Sequence, residues 1–186
     1  VGPLGKSKVI AATTMKAEAS APVKQAGEYV VTLQTPALLV DPGRHLASGK
    51  KLGKSDEQTM RTEYADVWKS LSEGSLELVN YFHRVTLTGG DYLNKRFQKD
   101  EAIYRPYLMT EAGSLFVLRP VTDEGRKKLD HWARYGLEIS REVAKFYGLP
   151  ADRQNDWWQR CPYLPENGFG EIRVNAEPRY PLAENK

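Results

Sequence analysis

The chain has 186 residues, of which 40% are hydrophobic and 27% charged, and 27 lysines and arginines against 24 acids give a net charge of +3. This length suits one well-buried core with extra segments, and the composition is ordinary for a soluble globular protein. No apolar run approaches the ~20 residues that span a bilayer, and the opening residues lack the continuous apolar stretch of a secretory signal. A single cysteine, Cys161, excludes an internal disulfide and fits a reducing compartment. We therefore expect a cytoplasmic protein without membrane contact.

Residues 1–26 are predicted to form a basic extended arm. They contain four lysines against Glu18 alone, and their Ala, Thr, Ser and Pro residues follow neither a helical nor an alternating pattern. The arm has few large apolar side chains to offset its ordering cost, so we expect a partner, and not this domain, to order it. Residues 27–175 are predicted to be the folded domain, and residues 176–186 a tail.

Strand and helix patterns alternate through the first part of this domain. Residues 28–34 are rich in β-branched and aromatic residues, which predicts the first strand. After a long loop, a capping box begins at Ser55, and apolar residues at helical spacing predict a helix that ends at Gly74. The second strand is predicted over residues 78–87 and the third over residues 114–118.

The second part of the domain repeats the alternation. A helix is predicted from Asp123 to near Gly136, and a last strand over residues 170–175 is entered from a glycine turn. Between them, residues 137–167 form a predicted insertion with a short helix near residues 139–147. We expect Trp157 and Trp158 to pack this insertion against the body.

This order predicts an α+β fold, a ferredoxin-like (RRM-like) βαββαβ domain with a long first loop and an insertion before the last strand. In that layout, two helices cover one face of an antiparallel four-stranded sheet. RNA recognition motifs, which share the layout, bind single-stranded RNA on the uncovered face and its loops.

Metal binding and histidine catalysis find little support in the sequence. Cys161 and the three histidines (His45, His83 and His131) lack the short ligand spacing of a zinc site. The same scarcity argues against a Ser-His-Asp or Cys-His site. We expect neither a metal nor a cofactor.

Two other segments approach known catalytic motifs without completing them. Residues 49–55 look like a phosphate-binding P-loop, but three residues separate the glycines where the motif needs four. Residues 88–91 resemble the Gly-Gly-Asp-Asp turn of palm-domain polymerases and cyclases, yet Tyr92 stands where the second acid would be. We therefore predict no active site in either segment.

Cations concentrate in two loops of the predicted domain. Residues 43–54 carry four cations and no acid, and the segment after the second strand, residues 92–107, interleaves cations with aromatic rings. Charges that follow a backbone and rings that stack on bases suit single-stranded nucleic acid. A long loop whose aromatics cover the open side of the sheet would explain the same residues without a ligand.

Five fragments in chain order carry a family resemblance. They are YVVTLQTPALLVDP (29–42), TGG (88–90), YRP (104–106), EAGSLFVL (111–118) and NGFGEIRV (167–174). Together they resemble the RAMP proteins of CRISPR effector complexes, in particular the Csx-type RAMP subunit of type III-D systems. The Ala-Gly-Ser start of the third strand and the Gly-Phe-Gly entry to the last are the most characteristic.

The resemblance implies a non-catalytic subunit that binds CRISPR guide RNA near its 5′ tag and packs against a neighbouring RAMP subunit, with target RNA as a further candidate ligand. Gly168, Phe169 and Gly170 match the glycine-rich loop of the family. The sequence departs from the pattern in its 137–167 insertion and its short glycine loop. Two alternatives stay open: a metal-independent, guide-processing endoribonuclease that uses His45 or His83, and a scaffold that binds only protein.

One set of residues is therefore expected to bind RNA. The set is Arg44, Lys50, Lys51, Lys54, Gly89, Gly90, Lys95, Arg96, Tyr104, Arg105, Gly168, Phe169 and Gly170.

Overall fold

Strands and helices alternate along the computed structural model, which describes residues 27–43, 57–97, 105–151 and 154–175. The strands are β1 (Tyr29–Leu33), β2 (Leu76–Phe82), β3 (Val85–Thr88), β4 (Tyr107–Thr110), β5 (Leu115–Pro120) and β6 (Ile172–Val174). The helices include α1 (Glu57–Leu71), α2 (Asp91–Phe97), α3 (Asp123–Tyr135) and α4 (Arg141–Phe146), with 3-10 helices at Gln154–Gln159 and Pro165–Asn167.

Four of the strands form one sheet in the order β2-β5-β1-β6, and each neighbouring pair is antiparallel. Helix α1 lies in the connection from β1 to β2, and α3 lies between β5 and β6. The predicted α+β class with an antiparallel sheet is confirmed.

The first hydrophobic core lies between this sheet and the two long helices. Alternate residues of β1 are buried because a strand turns successive side chains to opposite faces. On the covered side, the Phe116 ring lies 5.0 Å from the Tyr64 ring and 5.1 Å from the Trp68 ring, both on α1. Trp132 of α3 extends the cluster, with its ring 5.9 Å from that of Trp68. Each such fully buried side chain is worth about 1.5–3 kcal/mol relative to exposure.

The helix ends follow the predicted glycine signals. Gly74 after α1 and Gly136 after α3 have φ values of 81° and 84°, which L-residues with a Cβ rarely adopt. Helix α4 begins after Ser140, whose side chain accepts a hydrogen bond from the Val143 amide.

The single strand predicted over residues 78–87 is wrong. The chain leaves the four-stranded sheet after Phe82, and β3 pairs instead with β4 in a separate two-stranded sheet. The pairing of β2 with β5 shifts by one residue between Leu78 and Asn80, so the side chains after the shift face the opposite side from the one that strict alternation would give. An apolar run that spans both strands therefore looks continuous in the sequence, although the strands belong to different sheets.

Helix α2 and strand β4 were not predicted, because residues 92–107 were interpreted as a loop. Strand β4 is buried along its whole length. Its Leu108 belongs to the first core, whereas Tyr107 and Met109 belong to a second core. Tyr64 of α1 also reaches this strand, and its hydroxyl lies 3.0 Å from the Thr110 hydroxyl.

The second core joins residues 137–167 to β4 and to Leu38. Trp157 packs against it and donates its indole N–H to the Pro150 carbonyl at 2.9 Å, as expected. The same expectation is wrong for Trp158, which is 55% exposed. Burial in this core raises the pKa of the Cys161 thiol to about 12, so the thiol is protonated at neutral pH.

Three predicted segments lie outside the described residues: the basic arm 1–26, the loop residues 44–56, which include the capping box at Ser55, and the tail 176–186. None of the helices in the described ranges has both the length and the apolar character needed to cross a membrane.

Candidate nucleic-acid interface

Eight of the candidate RNA-binding residues fall within the described ranges. The five that fall outside them are Arg44, Lys50, Lys51, Lys54 and Tyr104.

Gly89 and Gly90 connect β3 to α2. Their φ values are 154° and 134°, and the Gly90 carbonyl accepts the Asn94 amide at 3.0 Å. No heavy atom of the described part stands within 4 Å of the place where a Cβ on Gly90 would lie. The backbone conformation, and not close packing, is therefore what requires glycine at position 90.

Helix α2 carries cations and rings on an exposed surface, and none of its residues is buried. Lys95 Nζ lies 2.6 Å from Asp91 Oδ2, so a neighbouring carboxylate balances its charge. The Arg96 guanidinium lies 5.4 Å from the centroid of the Phe97 ring. Tyr92 is 74% exposed. Four side chains suited to nucleic acid are thus displayed on one short segment.

Arg105 has a structural role at the second core. It donates from Nη1 to the Phe146 carbonyl at 2.7 Å, and its guanidinium lies 5.5 Å from the Phe146 ring centroid. A cation at the last carbonyls of α4 is favourable because these groups carry partial negative charge. This contact accounts for Arg105 without a ligand, and contact with RNA stays a prediction.

The turn at residues 168–170 joins three parts of the chain. Gly168 and Gly170 have φ values of 81° and 75°, as the glycine pattern predicts. Gly170 donates its amide to the Pro36 carbonyl at 3.0 Å and accepts the Leu137 amide at 2.8 Å. A Cβ on Gly170 would stand 3.1 Å from the Leu137 carbonyl oxygen, so the close approach also requires glycine.

The Phe169 ring packs against the second core and is only partly exposed. It meets the Tyr163 ring edge to face, with centroids 5.0 Å apart. The packed side of the ring is not available for base stacking. Contact between RNA and the exposed part of the ring stays a prediction.

We expect Phe169→Ala to lower the free energy of unfolding by about 1.5–2.5 kcal/mol, half the cost of emptying a fully buried phenylalanine site, because the ring is only partly buried. Thermal or urea unfolding measures the change. Phe82→Ala is the matched control, because Phe82 is 64% exposed and should cost little. Weakened RNA binding with unchanged stability would instead assign the Phe169 ring to recognition.

The open face of the four-stranded sheet has a different character from α2. The register places Phe82, Leu115, Thr32 and Arg173 in one row across the four strands. The next row has Val117 and Val30 at its centre. The two central strands therefore present aliphatic side chains and a threonine here, and not the aromatic rings on which RNA recognition motifs stack bases.

Charges on the open face nearly cancel. Arg119 lies between Glu28, at 2.7 Å, and Glu77, at 3.7 Å. Arg173 and Glu171 lie on the same side of β6. These described residues of the face comprise three carboxylates and two guanidinium groups, a balance that does not favour a polyanion. The sequence could not reveal this balance, because the pairing of strands distant in the chain creates it.

His83, the described candidate of the endoribonuclease alternative, lies partly buried against two tyrosines. Its ring centroid is 5.1 Å from that of Tyr64 and 5.1 Å from that of Tyr81. Burial lowers the pKa of His83. His45 lies outside the described residues.

Within the described ranges, no three His, Cys, Asp or Glu side chains are grouped so that they could hold a metal ion.

The structure thus separates the candidate residues into two groups. One group lies together on the exposed segment at α2 and consists of Gly89, Gly90, Lys95 and Arg96. The other group packs at the second core and consists of Arg105 and the turn at residues 168–170.

Comparisons with protein-family models, with curated proteins and with solved structures find no match to this chain.

Proposed function

We propose that this chain is a non-catalytic, RNA-binding subunit of a type III CRISPR ribonucleoprotein, which contacts guide RNA near its 5′ tag and packs against a neighbouring RAMP subunit. The observation that carries RNA binding is the exposed segment from Gly89 to Phe97, where glycines, cations and rings lie together and no helical residue is buried. The CRISPR assignment depends on the resemblance of the five sequence fragments.

The topology supports a ferredoxin-like domain as the framework of this proposal. When β1, β2, β5 and β6 are counted as the first to fourth core strands, their order in the sheet is 2-3-1-4, with α1 and α3 in the two crossovers. Such an order supports a βαββαβ arrangement. Strands β3 and β4 and helix α2 are then an insertion between the second and third core strands, and this insertion carries the candidate interface.

A protein-binding role has its own support in the open sheet face. Its aliphatic centre and nearly balanced charges suit a protein neighbour better than a polyanion. The two roles are compatible, since a subunit of a ribonucleoprotein needs both an RNA surface and a subunit surface.

The test of RNA binding is the affinity of the full chain for a guide-like RNA measured across a salt series. Binding to phosphates predicts that log K falls linearly with log salt, with a slope of about −0.7 per contacted phosphate of a single strand. No binding at low salt would overturn the proposal. Metal-independent cleavage of the RNA that His83→Ala abolishes would favour the endoribonuclease instead.

Simultaneous replacement of Lys50, Lys51 and Lys54 by alanine is expected to weaken RNA binding and to reduce the slope by about 2, because three phosphate contacts are lost. A triple change to alanine at Lys69, Lys127 and Lys128, which lie on α1 and α3, is the matched control for net charge. Equal effects of the two triple variants would mean that only overall charge matters. An unchanged slope in the first would remove residues 50–54 from the RNA interface.

A further inference from the structure

Tyr92 is the most exposed large hydrophobic residue of the described chain, at 74%. Its ring makes no contact with another ring of the described residues. Asp91 separates Tyr92 from Gly89 and Gly90. Chain neighbours aside, no heavy atom of the described residues lies within 4 Å of where a Cβ on Gly90 would stand. An aromatic ring without a ring partner among the described residues is thus largely exposed at the edge of the candidate interface.

Among the described residues, α2 carries two cations, and a carboxylate balances one of them. Asp91 holds Lys95 through a 2.6 Å ion pair. Arg96, four residues after Tyr92, is the other cation of α2, and its guanidinium lies over the Phe97 ring. Guanidinium N–H groups can donate to a phosphate. The spacing places the Tyr92 ring and this cation about 6 Å apart along the helix axis, which suits one base and an adjacent phosphate.

A stacking ring next to few cations favours single strands over duplexes. In a duplex the base faces are covered by their stacked neighbours, and a protein must rely on several phosphate contacts. In a single strand the bases can leave the stack and lie on an aromatic side chain, with little dependence on their identity. We propose that Tyr92 is a base-stacking residue that makes α2 selective for single-stranded RNA over duplex RNA. This inference depends on the proposed RNA-binding function.

Fluorescence anisotropy of the full chain with a short uridine-rich RNA, alone and annealed to its complement, tests the inference. Tyr92→Ala should weaken binding of the single strand by about 5- to 150-fold, the range for loss of one stacked base. Tyr92→Phe keeps the ring and should stay within about 3-fold of the parent chain. Binding of the duplex should be weaker than that of the single strand and should not respond to Tyr92→Ala. Because Tyr92 is exposed, the melting temperature should be the same in all three proteins.

Two results would overturn the stacking role while leaving RNA binding intact. One is an unchanged single-strand affinity in Tyr92→Ala, and the other is an equal loss of affinity for single strand and duplex. If the parent chain binds neither RNA, the proposed function fails together with this inference. The affinity of the parent chain therefore separates failure of the function from failure of the stacking role.

Discussion

Replacing Trp132 by alanine is expected to lower the free energy of unfolding by about 3–5 kcal/mol, the usual cost of emptying a large aromatic site in a core. Trp132 is fully buried and lies against Trp68, so its loss opens a cavity between α3 and α1. Urea unfolding monitored by circular dichroism measures the change. Trp158→Ala removes the same side chain from a site that is 55% exposed, and should cost much less.

A second substitution at Trp132 separates the contribution of its ring from that of its indole N–H. Neither Trp132 Nε1 nor Trp68 Nε1 has a hydrogen-bond partner among the described residues, although both are buried. A buried donor without an acceptor is unfavourable by about 1–3 kcal/mol. Trp132→Phe removes the donor and keeps most of the ring, so it should cost clearly less than Trp132→Ala. Equal losses in the two variants would contradict this assignment of the energy.

Replacing Gly125 by valine is expected to destabilise the protein by about 3 kcal/mol, because the new side chain collides with backbone. A Cβ at this position in the first turn of α3 would stand 2.4 Å from the Ser75 carbonyl oxygen and 3.0 Å from Leu76 Cδ2. The Ser75 carbonyl also accepts the Val121 amide at 2.9 Å, so a displaced helix strains the end of β5 as well.

Lys127→Val is the control for the Gly125 variant. It places the same β-branched residue two positions later in α3, where the side chain is 74% exposed. The lower helix propensity of valine should by itself reduce the free energy of unfolding by only a few tenths of a kcal/mol at this position. Thermal unfolding of both variants separates the steric effect from propensity, and similar losses would show that the contact with Ser75 is not decisive.

The main sheet and its helices were predictable because their signals are local. β-Branched and aromatic residues indicate β1, helical spacing indicates α1, and Gly74 and Gly136 indicate two helix ends. The segment that contains β3, α2 and β4 is harder to predict for a physical reason. All four β4 residues are buried because cores lie on both sides of the strand, so the segment has no alternation to detect.

The candidate site was predictable only in part. The sequence shows which residues can meet RNA, and it correctly indicates the unusual backbone of Gly168 and Gly170. It does not show that Arg105 is bound to α4, that Asp91 balances Lys95, or that the Phe169 ring packs on Tyr163. Those contacts depend on neighbours that only the folded chain brings together.

The Ala-Gly-Ser fragment illustrates how a family-like motif can have a structural cause. Gly113 has a φ of 84°, and the Ser114 hydroxyl donates to the Glu111 carbonyl at 2.8 Å. The same hydroxyl accepts the Arg84 amide at 3.3 Å, which ties the start of β5 to the crossing from β2 to β3. Because these contacts serve the fold of this chain, the fragment supports the proposed function less directly than the exposed ring and cations of α2 do.

The burial of β4 between two cores limits how far this protein can be trimmed or can diverge. Excising residues 137–167 would leave Tyr107 and Met109 facing water, while Leu108 would still anchor the strand in the first core. A shortened relative would need polar replacements at alternate β4 positions, or another subunit covering the same side. Length changes in the 137–167 segment and the polarity of positions 107 and 109 should therefore vary together among descendants of this chain.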